Sequence, residues 1–97
     1  MSEEMALLRE EIDRIDSEVQ RLFEERMAVS ERIGKYKAEH GLPVLDRQRE
    51  LQKIAGLKAS ASDEKNAEGI ARLYETIFEI SRSLQENEPR KAGGDLL

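Results

Sequence analysis

Apolar residues recur along the N-terminal part of the chain at alternating spacings of three and four: Met5, Leu8, Ile12, Ile15, Val19, Leu22, Val29, Ile33 and Tyr36. This is a heptad seam along one face of a helix. The segment from Met5 to His40 holds no proline and a single glycine, Gly34, so one long helix is predicted there. Gly41-Leu42-Pro43 ends it, the glycine as a cap and the proline as a stop. A second, short helix is predicted over Asp46 to Lys58, with Asp46 as N-cap and Leu51, Ile54 and Ala55 as its apolar face. Ser60-Ala61-Ser62-Asp63 reads as a loop closing on an N-cap. A third helix of medium length follows over Glu64 to Glu88, with the stripe Ala67, Ile70, Ala71, Leu73, Tyr74, Ile77, Phe78 and Leu84. Pro89, Gly93 and Gly94 make 89–97 read as a flexible tail behind one domain over 1–88. The expected fold class is all-α, with three helices per chain.

Helix length bears on assembly. A helix from Met5 to His40 is roughly 54 Å long at about 1.5 Å per residue. A compact chain of 97 residues is only about 30–35 Å across. The helix therefore projects beyond its own domain with the seam uncovered. A second chain along that seam covers it, so an intertwined helical homodimer is expected. The alternative is a monomer folded back by a kink near Gly34.

Composition narrows the chemistry. Charged residues make up 38% of the chain and aromatics 4%, with no Trp, which disfavours a compact all-β core. There is no cysteine, so disulfides, thiolate nucleophiles and Cys-type zinc sites are out. His40 is the only histidine, and any Ser-His-Asp chemistry would have to run through it. A net charge of -5 argues against a broad nucleic-acid-binding face, while leaving room for a small cationic pocket. No apolar run approaches the roughly 20 residues of a membrane span. The start Met1-Ser2-Glu3-Glu4 is acidic, unlike a signal peptide, and a cytoplasmic protein is the expectation.

Several polar residues interrupt apolar rows. Between Leu22 and Val29 the seam position is held by Arg26. Lys37 lies beside Tyr36, and Arg9 beside Leu8. In the third helix the row Ala71, Tyr74, Phe78 continues as Ser81 and Gln85. The second helix opens on Asp46-Arg47-Gln48-Arg49-Glu50. Taken singly, each has a plainer reading. Arg26 can be a register device or can reach solvent, Lys37 and Arg9 can be ordinary surface cations, and Ser81 can bond its own helix. Gln85 can sit at a fraying end, and the Asp46–Glu50 run can be capping plus side-chain pairs. Taken together, arginines, a lysine, a serine and a glutamine suit a small molecule with more than one carboxylate. With no evident nucleophile or metal trio, their chemistry is binding, orientation and stabilisation of developing charge.

These residues carry a resemblance. Leu8-Arg9-Glu10-Glu11-Ile12-Asp13-Arg14-Ile15-Asp16, Glu25-Arg26 and Ile33-Gly34-Lys35-Tyr36-Lys37 resemble the all-helical, AroQ-class chorismate mutases. So do Pro43-Val44-Leu45-Asp46-Arg47-Gln48-Arg49-Glu50 and Glu79-Ile80-Ser81 with Gln85. The likeness covers roughly residues 7–85, in order and on a three-helix layout. It implies an intertwined dimer with two active sites. It also implies the Claisen rearrangement of chorismate, a dianion, to prephenate on the route to phenylalanine and tyrosine. The resemblance implies that Arg9 reaches across from the partner chain to a substrate carboxylate. Arg26 would bind a carboxylate in its own chain's site, supported by Ser81. Lys37 and Gln85 would donate to the ether oxygen, and Arg49 would add positive field. Glu50 would accept from the substrate hydroxyl, aided by the backbone N–H of Asp46. No covalent step, cofactor or metal is implied, and a stand-alone mutase is expected, with a non-covalent pathway enzyme as a possible partner.

Leu45 and Arg47 sit where members of the family vary, and no role is attached to them. Two rivals share parts of the pattern. An isochorismate pyruvate lyase has the same fold and the arginine–lysine–glutamine set, but the Asp46-x-x-Arg49-Glu50 run favours the mutase. A non-enzymatic dimeric helical module would use the seam alone and leaves Ser81, Gln85 and the Asp46–Glu50 run unexplained.

Overall fold

Local signals at the helix ends account for the three elements. The computed structural model describes residues 2–88. It shows α1 over Glu3–Glu39, α2 over Arg47–Ala59 and α3 over Glu64–Glu86, with no strand among those residues. Each helix opens on an oxygen-bearing cap. The Ser2 hydroxyl accepts from the Met5 N–H at 3.1 Å, Asp46 from Arg49 N–H at 3.2 Å, and Asp63 from Asn66 N–H at 2.8 Å. The Ser2 cap starts α1 two residues before the apolar seam does, because capping and not hydrophobicity sets the boundary. At the far end Gly41 takes φ 67°, and the Leu42 N–H donates to the Lys37 carbonyl at 2.8 Å. That closure is a Schellman turn, which favours glycine at the left-handed position. α3 stops at Glu86, two residues short of the expected end, and the tail expected over 89–97 lies outside the described residues.

α3 is the central element. It packs against α1 and against α2, which do not pack on each other. The shared core comprises Met27 and Ala38 from α1, Ile54 from α2, and Ala67, Ile77 and Phe78 from α3. Leu51, Ala55 and Leu73, read as facing inward, are exposed, and in α2 the buried positions are Glu50 and Ile54. α1 runs unbroken through Gly34, so the kinked alternative is not adopted. The fold is accordingly long, at 65 × 26 × 15 Å. Its radius of gyration is 18.1 Å, against about 13 Å for a compact chain of this size.

The seam does not face α3. Every large member of it, from Met5 to Tyr36, is at least 40% exposed. The α3-facing stripe lies one position round the helix, at Met27, Ser30, Gly34 and Ala38. Three of these four are small, so the two helices approach closely. A Cβ on Gly34 would stand 2.9 Å from the Gln85 Cα. Gly34→Ala must therefore push α3 outward, which we expect to cost about 1–3 kcal/mol as overpacking does. Thermal melting reads the loss, and an unchanged midpoint would contradict this packing.

Candidate functional site

The close α1–α3 approach brings the polar end of α3 beside the C-terminal half of α1, and α2 closes the third side. A cleft of about 440 Å³ lies between them. It is lined by Arg26, Ser30, Ile33 and Lys37 from α1 and by Arg49, Glu50 and Lys53 from α2. Phe78, Ser81, Arg82 and Gln85 of α3 complete it, together with Val29, Val44 and Asp46. Five cations and two carboxylates thus face a space of small-metabolite size, although the chain as a whole carries a net charge of -5.

The side chains are held before any ligand arrives. Arg26 leaves its exposed neighbours to lie over the rings of Tyr74 and Phe78, at 5.7 and 5.5 Å from their centroids. One of its N–H groups donates to the Ser81 hydroxyl at 3.0 Å. An arginine on an apolar stripe is thus accommodated by aromatic faces and a hydroxyl, which leaves most of its five donors free of protein carboxylates. The Lys37 ammonium donates to the Val44 carbonyl at 2.8 Å, tying α1 to the α1–α2 loop. The Gln85 amide donates to the Ser30 hydroxyl at 3.1 Å, and its Oε1 is buried without a hydrogen-bond partner among the described residues. An unmatched buried acceptor costs about 1–3 kcal/mol, so the amide is held there against a local penalty.

Glu50 is the most strongly held group. Its Oε1 and Oε2 accept from a single Arg82 nitrogen at 2.7 and 2.6 Å, and Oε1 also accepts from Arg47 at 3.0 Å. Arg47 reaches on to Glu75 of α3 with two bonds, at 3.0 and 3.1 Å. Those bonds hold the Glu75 carboxyl below its ordinary range and the Arg47 guanidinium above its own. A carboxyl so lowered supports folding above the unfolded value of 4.5 and loses that support in acid, so the α2–α3 tether is intact at neutral pH.

The pattern of type II chorismate mutases matches residues 8–86. The chain belongs to the type II chorismate mutase family. It is 35% identical to a chorismate mutase structure from Thermus thermophilus, with a TM-score of 0.84, covering 91% of this chain and all of that one. It is 39% identical over 88 residues to the bifunctional chorismate mutase/prephenate dehydratase of Aquifex aeolicus, covering 87% of this chain but 24% of that protein. A chorismate mutase of Methanocaldococcus jannaschii is 25% identical over 87 residues, covering 89% of this chain and 88% of that one. The chain thus spans about a quarter of the bifunctional relative.

Of the residues singled out by the mutase resemblance, Arg26, Lys37, Asp46, Arg49, Glu50, Ser81 and Gln85 all line the cleft. Arg9 does not. It is exposed on the free N-terminal half of α1, roughly 25 Å from Arg26 at about 1.5 Å per residue. Asp46 caps α2, and Arg47 pairs with Glu50, so the plainer reading of that run holds alongside its place at the cleft. Ser30, Lys53 and Arg82 were missed. Ser30 was legible, since Arg26, Ser30, Ile33 and Lys37 follow one another at four, three and four. Lys53 stands one turn beyond Arg49, and Arg82 one turn beyond Phe78, but spacing alone does not tell a lining cation from a solvated one.

Proposed function

We propose that this chain catalyses the rearrangement of chorismate to prephenate, binding the substrate in the α1–α2–α3 cleft. The observation that carries the reading is the convergence of Arg26, Lys37, Arg49 and Gln85 on one small cationic cleft. In the reaction the ether C–O bond breaks as a C–C bond forms within the same molecule, so no group is transferred to the protein. Negative charge grows on the ether oxygen. Lys37 and Gln85 donate to it, and Arg26, steadied by Ser81, binds a carboxylate. Arg49 adds positive field, and Glu50 accepts from the substrate hydroxyl beside the Asp46 N–H. Donors fixed beforehand need no reorganisation as the charge appears.

The functional unit in this proposal is a homodimer. Its support is the uncovered seam on α1 and the distance of Arg9 from its own cleft. A partner α1 laid along the seam brings its Arg9 to the second carboxylate. The test is chorismate consumption, followed by the loss of its ultraviolet absorbance, by a species whose light-scattering mass is two chains. Turnover of isochorismate in place of chorismate would move the assignment to a lyase.

Gln85 carries no titrating group, so activity is not expected to fall toward pH 8 on its account. A Gln85→Glu variant must hold a proton to donate, and its kcat is expected to fall as pH rises. A flat profile between about pH 5 and 8, where such a carboxyl gives up its proton, would remove Gln85 from the donor role.

A further inference from the structure

We propose that Arg82 is a positioning residue that aims Glu50 at the substrate hydroxyl, making the cleft select ligands that carry one. The inference rests on the proposed role of Glu50 as that hydroxyl's acceptor. The geometry points to it by counting lone pairs. An ionised carboxylate offers about four acceptor directions, two on each oxygen. Oε1 of Glu50 is filled by Arg82 and Arg47, whereas Oε2 accepts from Arg82 alone. One direction therefore remains open, on Oε2. Glu50 lines the cleft with its side chain only 10% exposed, so a bound ligand is the donor that can take that direction.

Arg82 and Arg47 do different work on this carboxylate. Arg47 is 46% exposed and divides its guanidinium between Glu50 and Glu75, so it anchors α2 to α3 from the outside. Arg82 is 26% exposed, lines the cleft, and sets one nitrogen between both Glu50 oxygens. Lying between the two oxygens, close to the carboxylate's own axis, that nitrogen fixes where the carboxylate sits, while the Arg47 bond to Oε1 sets its rotation, so the open lone pair keeps its direction only while Arg82 holds the group in place. The Arg82 contact also cancels the charge of a buried anion that would otherwise repel a dianionic substrate. Because a single nitrogen makes the contact, a lysine ammonium can reproduce it.

The experiment uses two oxabicyclic diacids that mimic the rearrangement's ring geometry, one with a hydroxyl and one with hydrogen in its place. Their affinities are measured by calorimetry on the wild type, R82M, R82K and E50Q, beside chorismate turnover and melting. A hydrogen bond to a charged acceptor makes the wild type prefer the hydroxyl diacid by about tenfold or more. In R82M that preference is expected to shrink to within about twofold, the hydroxyl diacid losing at least about fivefold more affinity than the hydrogen diacid, and R82K restores it. In the E50Q background, adding R82M is expected to change neither the preference nor turnover by more than about twofold.

An R82M protein that keeps the preference, or loses both diacids equally, overturns the proposal, since a purely structural arginine does the latter. If R82M does not melt cooperatively, E50Q and E50Q/R82M are compared instead, because neither leaves the buried Glu50 carboxylate without its arginine. A further tenfold loss in the double variant then overturns it, and equality supports it. Wild type that discriminates the diacids but leaves chorismate unchanged defeats the reaction assignment and leaves the Arg82 inference standing. Wild type that turns over chorismate without discriminating them does the reverse.

Discussion

Replacing Lys37 with alanine is expected to lower kcat by at least about 10²- to 10³-fold, with a smaller effect on KM. The ammonium is held in place by the Val44 carbonyl at 2.8 Å, so its remaining N–H groups are aimed before substrate binds. A donor to the ether oxygen matters most when that oxygen carries charge, which is in the transition state and not in the ground state. Removal of one such donor from a water-poor site costs roughly 3–4 kcal/mol. Alanine leaves a helix-favouring residue near the end of α1 and abolishes one loop contact, so the melting midpoint should move little. Arginine at 37 would keep the charge but not the compact ammonium, and should not rescue the rate. Near-normal turnover in a folded Lys37→Ala protein would remove the residue from the mechanism.

Arg26→Ala is expected to be as damaging to kcat/KM, by at least about 10²- to 10³-fold, but through KM as well as kcat. The guanidinium lies over Tyr74 and Phe78 and bonds the Ser81 hydroxyl, so its fork is held rigid. A rigid fork matches a carboxylate in the substrate and in the transition state alike, which is why ground-state affinity falls too. Arg26→Lys keeps the charge and loses the paired geometry, and should recover only a small part of the activity. The alanine variant also uncovers two aromatic faces, so a modest drop in melting temperature accompanies the kinetic loss. Initial rates across a range of chorismate concentrations separate the two parameters. A variant with unchanged KM would place the carboxylate contact elsewhere.

These two residues were legible for different reasons. Arg26 stands out because a charge occupies a heptad position, and the cost of that is general physics. Lys37 does not stand out by period at all. It is one of six lysines on a charged chain, noted beside the seam as part of a polar set, and only the resemblance gave it a role of its own. The structure supplies what neither reading held, which is the anchor. Ser81, Tyr74 and Phe78 hold Arg26, and Val44 holds Lys37.

The amino-acid sequence by itself determined the three helices, their caps and stops, and the length of α1. These depend on neighbours within one or two turns: the Ser2, Asp46 and Asp63 oxygens, the left-handed Gly41, and the alternation of three and four. It also carried the polar positions Arg26, Lys37, Arg49, Ser81 and Gln85 that suggested a cationic pocket. Only the tertiary structure decided which face of α1 meets α3. The seam of large side chains stays uncovered, and the smaller stripe of Ser30, Gly34 and Ala38 takes the contact because small residues let the two backbones come close. That choice of rotation brings Gln85 to Ser30 and Arg26 to Ser81, each across 55 positions of chain. It likewise decided the grip of Arg82 on Glu50, 32 positions apart. Pairs so distant are set by how rigid helices rotate and slide against one another, and local periodicity carries no record of that.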